Sequence, residues 1–185
     1  SKTRRQQLWR DEARQVKPYT DKSSMKVTNF SSAFLDQLTQ EADKSSRFRQ
    51  HRNLHQNYQD PCQRLFNALG VNSYIRPHRH LNDPKAECLI AVRGLMTLVT
   101  FDEVGGVVEA IQFGIPTQGS KETTCVGVEL PPSVWHTVIA DVSGSILFEV
   151  KAGPFNPAHA KDWAEWAPAE GTSEAHKFLS DLRAS

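Results

Sequence analysis

The chain has 185 residues, 38% hydrophobic and 23% charged, the size and balance of one ordinary globular domain. A formal net charge of +1 argues against a large basic surface for nucleic acid, and no apolar run approaches the length of a membrane-spanning helix, so neither partner is expected. A site for a small-molecule ligand is the simpler expectation. Cys62, Cys88 and Cys125 are an odd number in a chain large enough to hold its own core, and no secretory signal pattern opens it. These features predict a reducing, cytoplasmic setting and buried free thiols.

Residues 1–24 carry seven basic side chains against three acidic ones and read as a basic extension ahead of a single domain over 25–185. Trp9, Ala13 and Val16 fall at helical spacing before Pro18 interrupts them. The extension is either a loosely packed tail or an arm for a partner or lipid, and Met25 could be an original start. From Ser31 to about Ser46, Phe34, Leu35, Leu38 and Ala42 make one apolar stripe, which predicts a helix lying on the domain, capped by Ser31 or Ser32.

Arg47 to Asp60 is dense in Arg, His, Asn and Gln without clear periodicity, and reads as a loop. It is either a solvated connection or a cover over a cavity mouth that presents donors to an anionic ligand, with His55 as a pocket candidate. CQRLFNAL can be an extended segment or a helical turn, and Gly70 then turns the chain into a strand expected over Ser73 to His80. In such a strand Tyr74 and Arg76 share the parity of His78 and His80. Arg76 then either binds a carboxylate or phosphate or pairs with an acidic residue at the mouth.

Six strand-like runs follow: ECLIAVRG, LMTLVTF, VVEAIQF, TCVGVEL, WHTVIA and SILFEVK. With turn signals at Arg93-Gly94 and from Asp102 to Gly106, they predict an all-β meander closing as a sandwich or jelly-roll barrel. The stretch from Gly153, with Pro154, Pro157, Pro168, His159, Trp163 and Trp166, is expected to lie as a lid or flank. A short helix from Ser173 to Leu182 ends the chain and could serve subunit contact.

The chemistry concentrates in IRPHRHLNDPKAECLIAVRG, from Ile75 to Gly94. Alternation along a strand turns His78 and His80 to one face and Arg79 to the other, so two imidazoles can reach one ion. Glu87 opens the next extended run and can add a carboxylate, and His136 in LPPSVWHTV is the candidate fourth ligand. Cys88 should turn away from that face. Three imidazoles and one carboxylate suit one divalent transition metal among Fe, Mn, Ni, Co, Cu and Zn, with coordination positions left open for water or substrate. Ser133 precedes His136 by three residues without a nucleophile elbow, which argues against a hydrolase.

His78, His80, Glu87 and Gly94, followed by Pro131 and His136, resemble the two cupin motifs. The spacer LNDPKA is longer than the pattern's, and Ser133 stands at its usual glycine. Beyond the motifs, RNLHQNYQDPCQRLFNALGVNSYIRPHRH, LFEVKAGPFNP and KDWAEWAPAEG look like the WbuC-type cupin-fold metalloproteins, over roughly Val27 to Leu182. The resemblance implies a cupin jelly-roll β-barrel, or double-stranded β-helix, with a flanking N-terminal helix and a short C-terminal helix. It also implies a metal-dependent protein for a small polar metabolite, such as a carbohydrate linked to surface-polysaccharide synthesis, often as a homodimer. Two activities stay open for an enzyme, isomerase- or epimerase-like and dioxygenase, beside a non-catalytic ligand-binding or sensor role.

Overall fold

The computed structural model describes residues 17–18, 27–115, 125–158 and 161–184. The strands are β1 (Lys17–Pro18), β2 (Arg49–Asn53), β3 (Cys62–Leu69), β4 (His78–Arg79), β5 (Glu87–Arg93), β6 (Leu95–Phe101), β7 (Val107–Gly114), β8 (Gly127–Leu130), β9 (Trp135–Ala140), β10 (Ser145–Ala152) and β11 (Asp162–Trp163). One sheet runs β1-β2-β3-β10-β5-β8 and the other β11-β4-β9-β6-β7. Every pairing is antiparallel except β1 with β2. The chain alternates between sheets, as a jelly roll requires, and the all-β expectation holds.

The core between the sheets comes from the inward residues of both, including Leu69, Leu89, Met96, Leu98, Phe113, Val138 and Leu147. Helix α1 (Ser32–Asp43) starts where Ser31 Oγ accepts the Phe34 N–H at 3.2 Å, and it lays Leu38 and Ala42 on Phe66, Ala68 and Ile146. Helix α2 (Ser173–Ala184) buries Ala175 and Leu179 against Tyr74, Val99, Phe101 and Trp135. Its apolar face therefore closes one flank of its own barrel. The turn signals hold as well: the Asp102 carboxylate accepts the N–H groups of Val104 and Gly106, and Gly94 sits at φ +75° with Ser145 packed against it.

Three expectations need correction. Arg47 to Asp60 contains a strand, β2, paired along its length with β3. The strand expected from Ser73 shrinks to His78–Arg79, because the preceding residues pack on the C-terminal segment. Cys62 and Cys125 are exposed and Cys88 is half-buried, so none is a buried thiol. Lys17 and Pro18 pair with Arg52 and Asn53, adding a rung at the sheet edge, while Trp9, Ala13, Val16, Met25 and His159 lie outside the described residues. No described helix is long and apolar enough to cross a membrane.

Candidate metal centre and cavity

His78 is the first residue of β4 and pairs directly with His136 on β9. Alternation then brings His80 to the same side, while Arg79 turns outward, its guanidinium 4.3 Å from the Trp135 ring and 2.8 Å from Glu103. The LNDPKA spacer loops away from the barrel, tied where the Asp162 carboxylate accepts the Leu81 N–H at 2.9 Å and the Asn82 amide at 3.0 Å. Ser133 occupies its turn at φ +66°, the conformation that glycine would adopt without strain. Neither departure from the motif displaces a histidine.

One ring nitrogen from each of His78, His80 and His136 lies within 4.8 Å of the others, and all three residues are buried. The Nδ1 of His78 is 3.0 Å from the Arg76 carbonyl and that of His136 is 2.9 Å from the Val134 carbonyl. A carbonyl only accepts, so each Nδ1 carries its proton and each Nε2 keeps a lone pair for the site. Burial, followed by the charge of Lys161 and the neighbouring imidazoles, holds the His78 pKa well below its ordinary value and keeps the ring in the neutral, ligating form.

Glu87 opens β5 with its carboxylate 3.0 Å from His80 Nε2 and 3.4 Å from His136 Nε2. It therefore reaches two of the three rings. A neutral His136 with Nδ1 protonated would point a lone pair at a carboxylate, which is repulsive, and a cation shared between them removes the repulsion. Bonds of roughly 2.0–2.2 Å to such an ion put donor atoms about 3–3.5 Å apart, within a small side-chain adjustment of this arrangement. The donor set fits a divalent transition ion.

Lys151 on β10 was not singled out from sequence, where it is only the last letter of a strand-like run. Cross-strand register places it opposite Glu87, and its ammonium lies 2.8 Å from Glu87 Oε1 and 3.5 Å from Glu149 Oε1. Burial disfavours charge on Glu87, but the Lys151 ammonium outweighs it and holds the carboxyl well below the usual range. Burial likewise opposes the charge on Lys151, and the carboxylates of Glu87 and Glu149 overcome it and push its pKa up.

His78, Glu87 and His136 border a cavity of about 160 Å³ between the sheets. Its apolar surface includes Leu65, Leu89, Val138 and Leu147, and its polar wall is built by β2 and β3. His55 lines this cavity, with its Nδ1 held 3.0 Å from the Arg64 N–H. His51, on β2, lines it too, and burial followed by the charge of Arg49 keeps its pKa well below the ordinary value. Arg76 is elsewhere: its guanidinium donates to the Ala164 carbonyl at 2.5 and 3.0 Å, and the residue is not on the cavity wall. Tyr74 also leaves the cavity, donating its hydroxyl to the Pro168 carbonyl at 2.9 Å and packing near Phe178. Cys88, between the inward Glu87 and Leu89, is off the wall as alternation requires. Trp163 lies with its ring centre 5.5 Å from that of His78, whereas Trp166 packs with Phe101 and Trp135.

Residues 30–113 match a family described as a domain of unknown function, DUF6016. No curated protein is significantly similar in sequence. Among solved structures, protein SO0799 from Shewanella oneidensis superposes with a TM-score of 0.53 at 10% identity, covering 74% of this chain and 85% of that one. An oxalate decarboxylase from Bacillus subtilis gives 0.45 at 14% identity, over 62% of this chain and 27% of the other. Procruciferin, the 11S globulin of Brassica napus, gives 0.42 at 13% identity, over 57% of this chain and 26% of that one. The chain thus spans about a quarter of the length of these last two. Identities this low bear on fold alone: the chain has a jelly-roll, double-stranded β-helix fold, with one helix on each flank.

Proposed function

We propose that this protein binds one divalent transition metal through His78, His80, His136 and Glu87, and handles a small polar molecule in the adjoining cavity. The convergence of three buried imidazoles within 4.8 Å, two of them with Nδ1 facing a backbone carbonyl, carries this reading. Such an ion supplies Lewis-acid polarisation of a ligand oxygen. The chain's own contribution is to orient the rings, keep water out with the apolar wall, and offer neutral imidazoles at His51 and His55 that can take a proton from a bound molecule. Those two bases favour proton transfer, as in an isomerase or epimerase, over oxygenation.

The motifs resembling WbuC-type proteins support a carbohydrate substrate linked to surface-polysaccharide synthesis, in a cytoplasmic and dimeric protein. The test is to strip the protein with chelator, titrate back Mn, Fe, Co, Ni, Cu and Zn singly, and follow melting temperature and then turnover. A metal that raises the melting temperature of the native chain and not of His80→Ala supports the site. A ligand that binds tightly to the loaded protein without turnover would favour the sensor role, and no stabilisation by any ion would refute the proposal.

A further inference from the structure

On the cavity wall, Asn53 Oδ1, Asn67 Oδ1 and His55 Nε2 are buried and find no hydrogen-bond partner among the described residues. The residues are 5%, 4% and 3% exposed, so bulk water does not bathe them. Asn53 ends β2, Asn67 lies on β3, and His55 follows two residues after Asn53. An unmatched buried polar atom lowers stability relative to an apolar residue of the same shape, and native chains keep few of them. Three on one wall point to a group that is brought in from outside.

The hydrogen-bond inventory narrows what that group is. His55 Nδ1 lies 3.0 Å from the Arg64 backbone nitrogen and 2.9 Å from the Arg64 carbonyl oxygen. Nδ1 accepts from the first or donates to the second, and Nε2 correspondingly donates or accepts. The wall therefore offers one ring nitrogen and two amide groups, each with an oxygen. An ionised carboxylate only accepts, so it can meet the amide NH2 groups but leaves the amide oxygens unmatched. A hydroxyl both donates and accepts, and so can meet every one of these groups.

We infer that Asn53, His55 and Asn67 form a hydroxyl-reading subsite, and that the ligand is a polyhydroxylated carbon chain or ring, a polyol or a sugar unit. This rests on the proposed metal-bearing cavity for its location, and on the unmatched wall atoms for its chemistry. Register also bounds the ligand's length. Glu87 is opposite Lys151, which is opposite Gln63 on β3, and the neighbouring inward residue Leu65 is opposite Asn53. The metal ligand and Asn53 are three strand spacings apart, roughly 14 Å along the sheet and less across its curvature. A ligand touching both is longer than a two-carbon diacid, and its carbon face would lie on Leu65 and Leu89.

The test uses metal-loaded full chain and the single variants Asn53→Leu and Asn67→Leu, with metal content, melting temperature and calorimetric titration measured on each. The probes are glycerol, myo-inositol, glucose and gluconate, against malonate. The native chain is expected to bind at least one hydroxylated probe. The variants should bind it at least about tenfold more weakly, keep their metal, and melt several degrees higher because an unmatched amide has become a packed leucine. Variants that melt lower with binding unchanged would make the amides structural and overturn the inference, as would binding of malonate alone or of no probe. Failure of the metal site would show separately, as missing metal in the native chain.

Discussion

Replacing Lys151 by methionine keeps the volume of the side chain and deletes the ammonium that sits 2.8 Å from Glu87. The side chains of Lys151 and Glu87 are 11% and 6% exposed, so water cannot take over the lost interaction. Removing one partner of a buried ion pair leaves an uncompensated charge and costs about 3–5 kcal/mol. For a domain of this size that corresponds to a fall in melting temperature of roughly 6–20 °C in the metal-free protein. A divalent ion beside Glu87 replaces the missing charge, so the metal-loaded variant should lose much less. The pH dependence has a definite sign. Glu87, with its pKa depressed, contributes stability above its unfolded value near 4.5 that is lost as pH falls through the folded one. Lys151, with its pKa raised, contributes stability below its unfolded value near 10.5 that is lost as pH rises through the folded one. The deficit of the variant should therefore be largest between these limits. Urea unfolding of both proteins, with and without metal, measures it. An equal loss in loaded and metal-free protein, or a loss under about 1 kcal/mol, would refute the coupling of this pair to the metal site.

Ser31→Ala removes the oxygen that caps α1 and should cost about 1 kcal/mol, read as a fall of about 2–4 °C with metal content unchanged. Gly94→Ala forces a side chain onto φ +75° and drives its Cβ into Ser145 Oγ, so a loss of about 1–3 kcal/mol is expected by chemical denaturation. A silent substitution there would mean that the turn between β5 and β6 is wrongly described. Cys88→Ser should leave metal stoichiometry untouched by elemental analysis, because Cys88 faces away from the cavity.

The pieces of the site governed by strand alternation were legible in the sequence. His78 and His80 share a face, Arg79 and Cys88 do not, and Gly94 takes the positive φ its turn needs. Helix α1 was legible for the same reason, since its stripe and its cap are local. Strand β2 was not, because its inward residues His51 and Asn53 line a polar cavity rather than an apolar core, so the hydrophobic alternation that marks a half-buried strand is missing. Arg76 was misplaced by extending the parity of His78 backwards through Pro77, where the strand has already ended. Lys151 could not be found at all, since its role depends on which residue of a distant strand stands opposite it. Cross-strand register of that kind is a property of the assembled sheets, and no local pattern encodes it.

The measurement closest to the central claim is elemental analysis of the protein purified without added metal, beside His78→Ala prepared in the same way. A near-stoichiometric transition metal in the native chain that is lost in the variant is the predicted result. Absence of metal from both, or equal metal in both, would contradict the assignment of the three imidazoles as ligands.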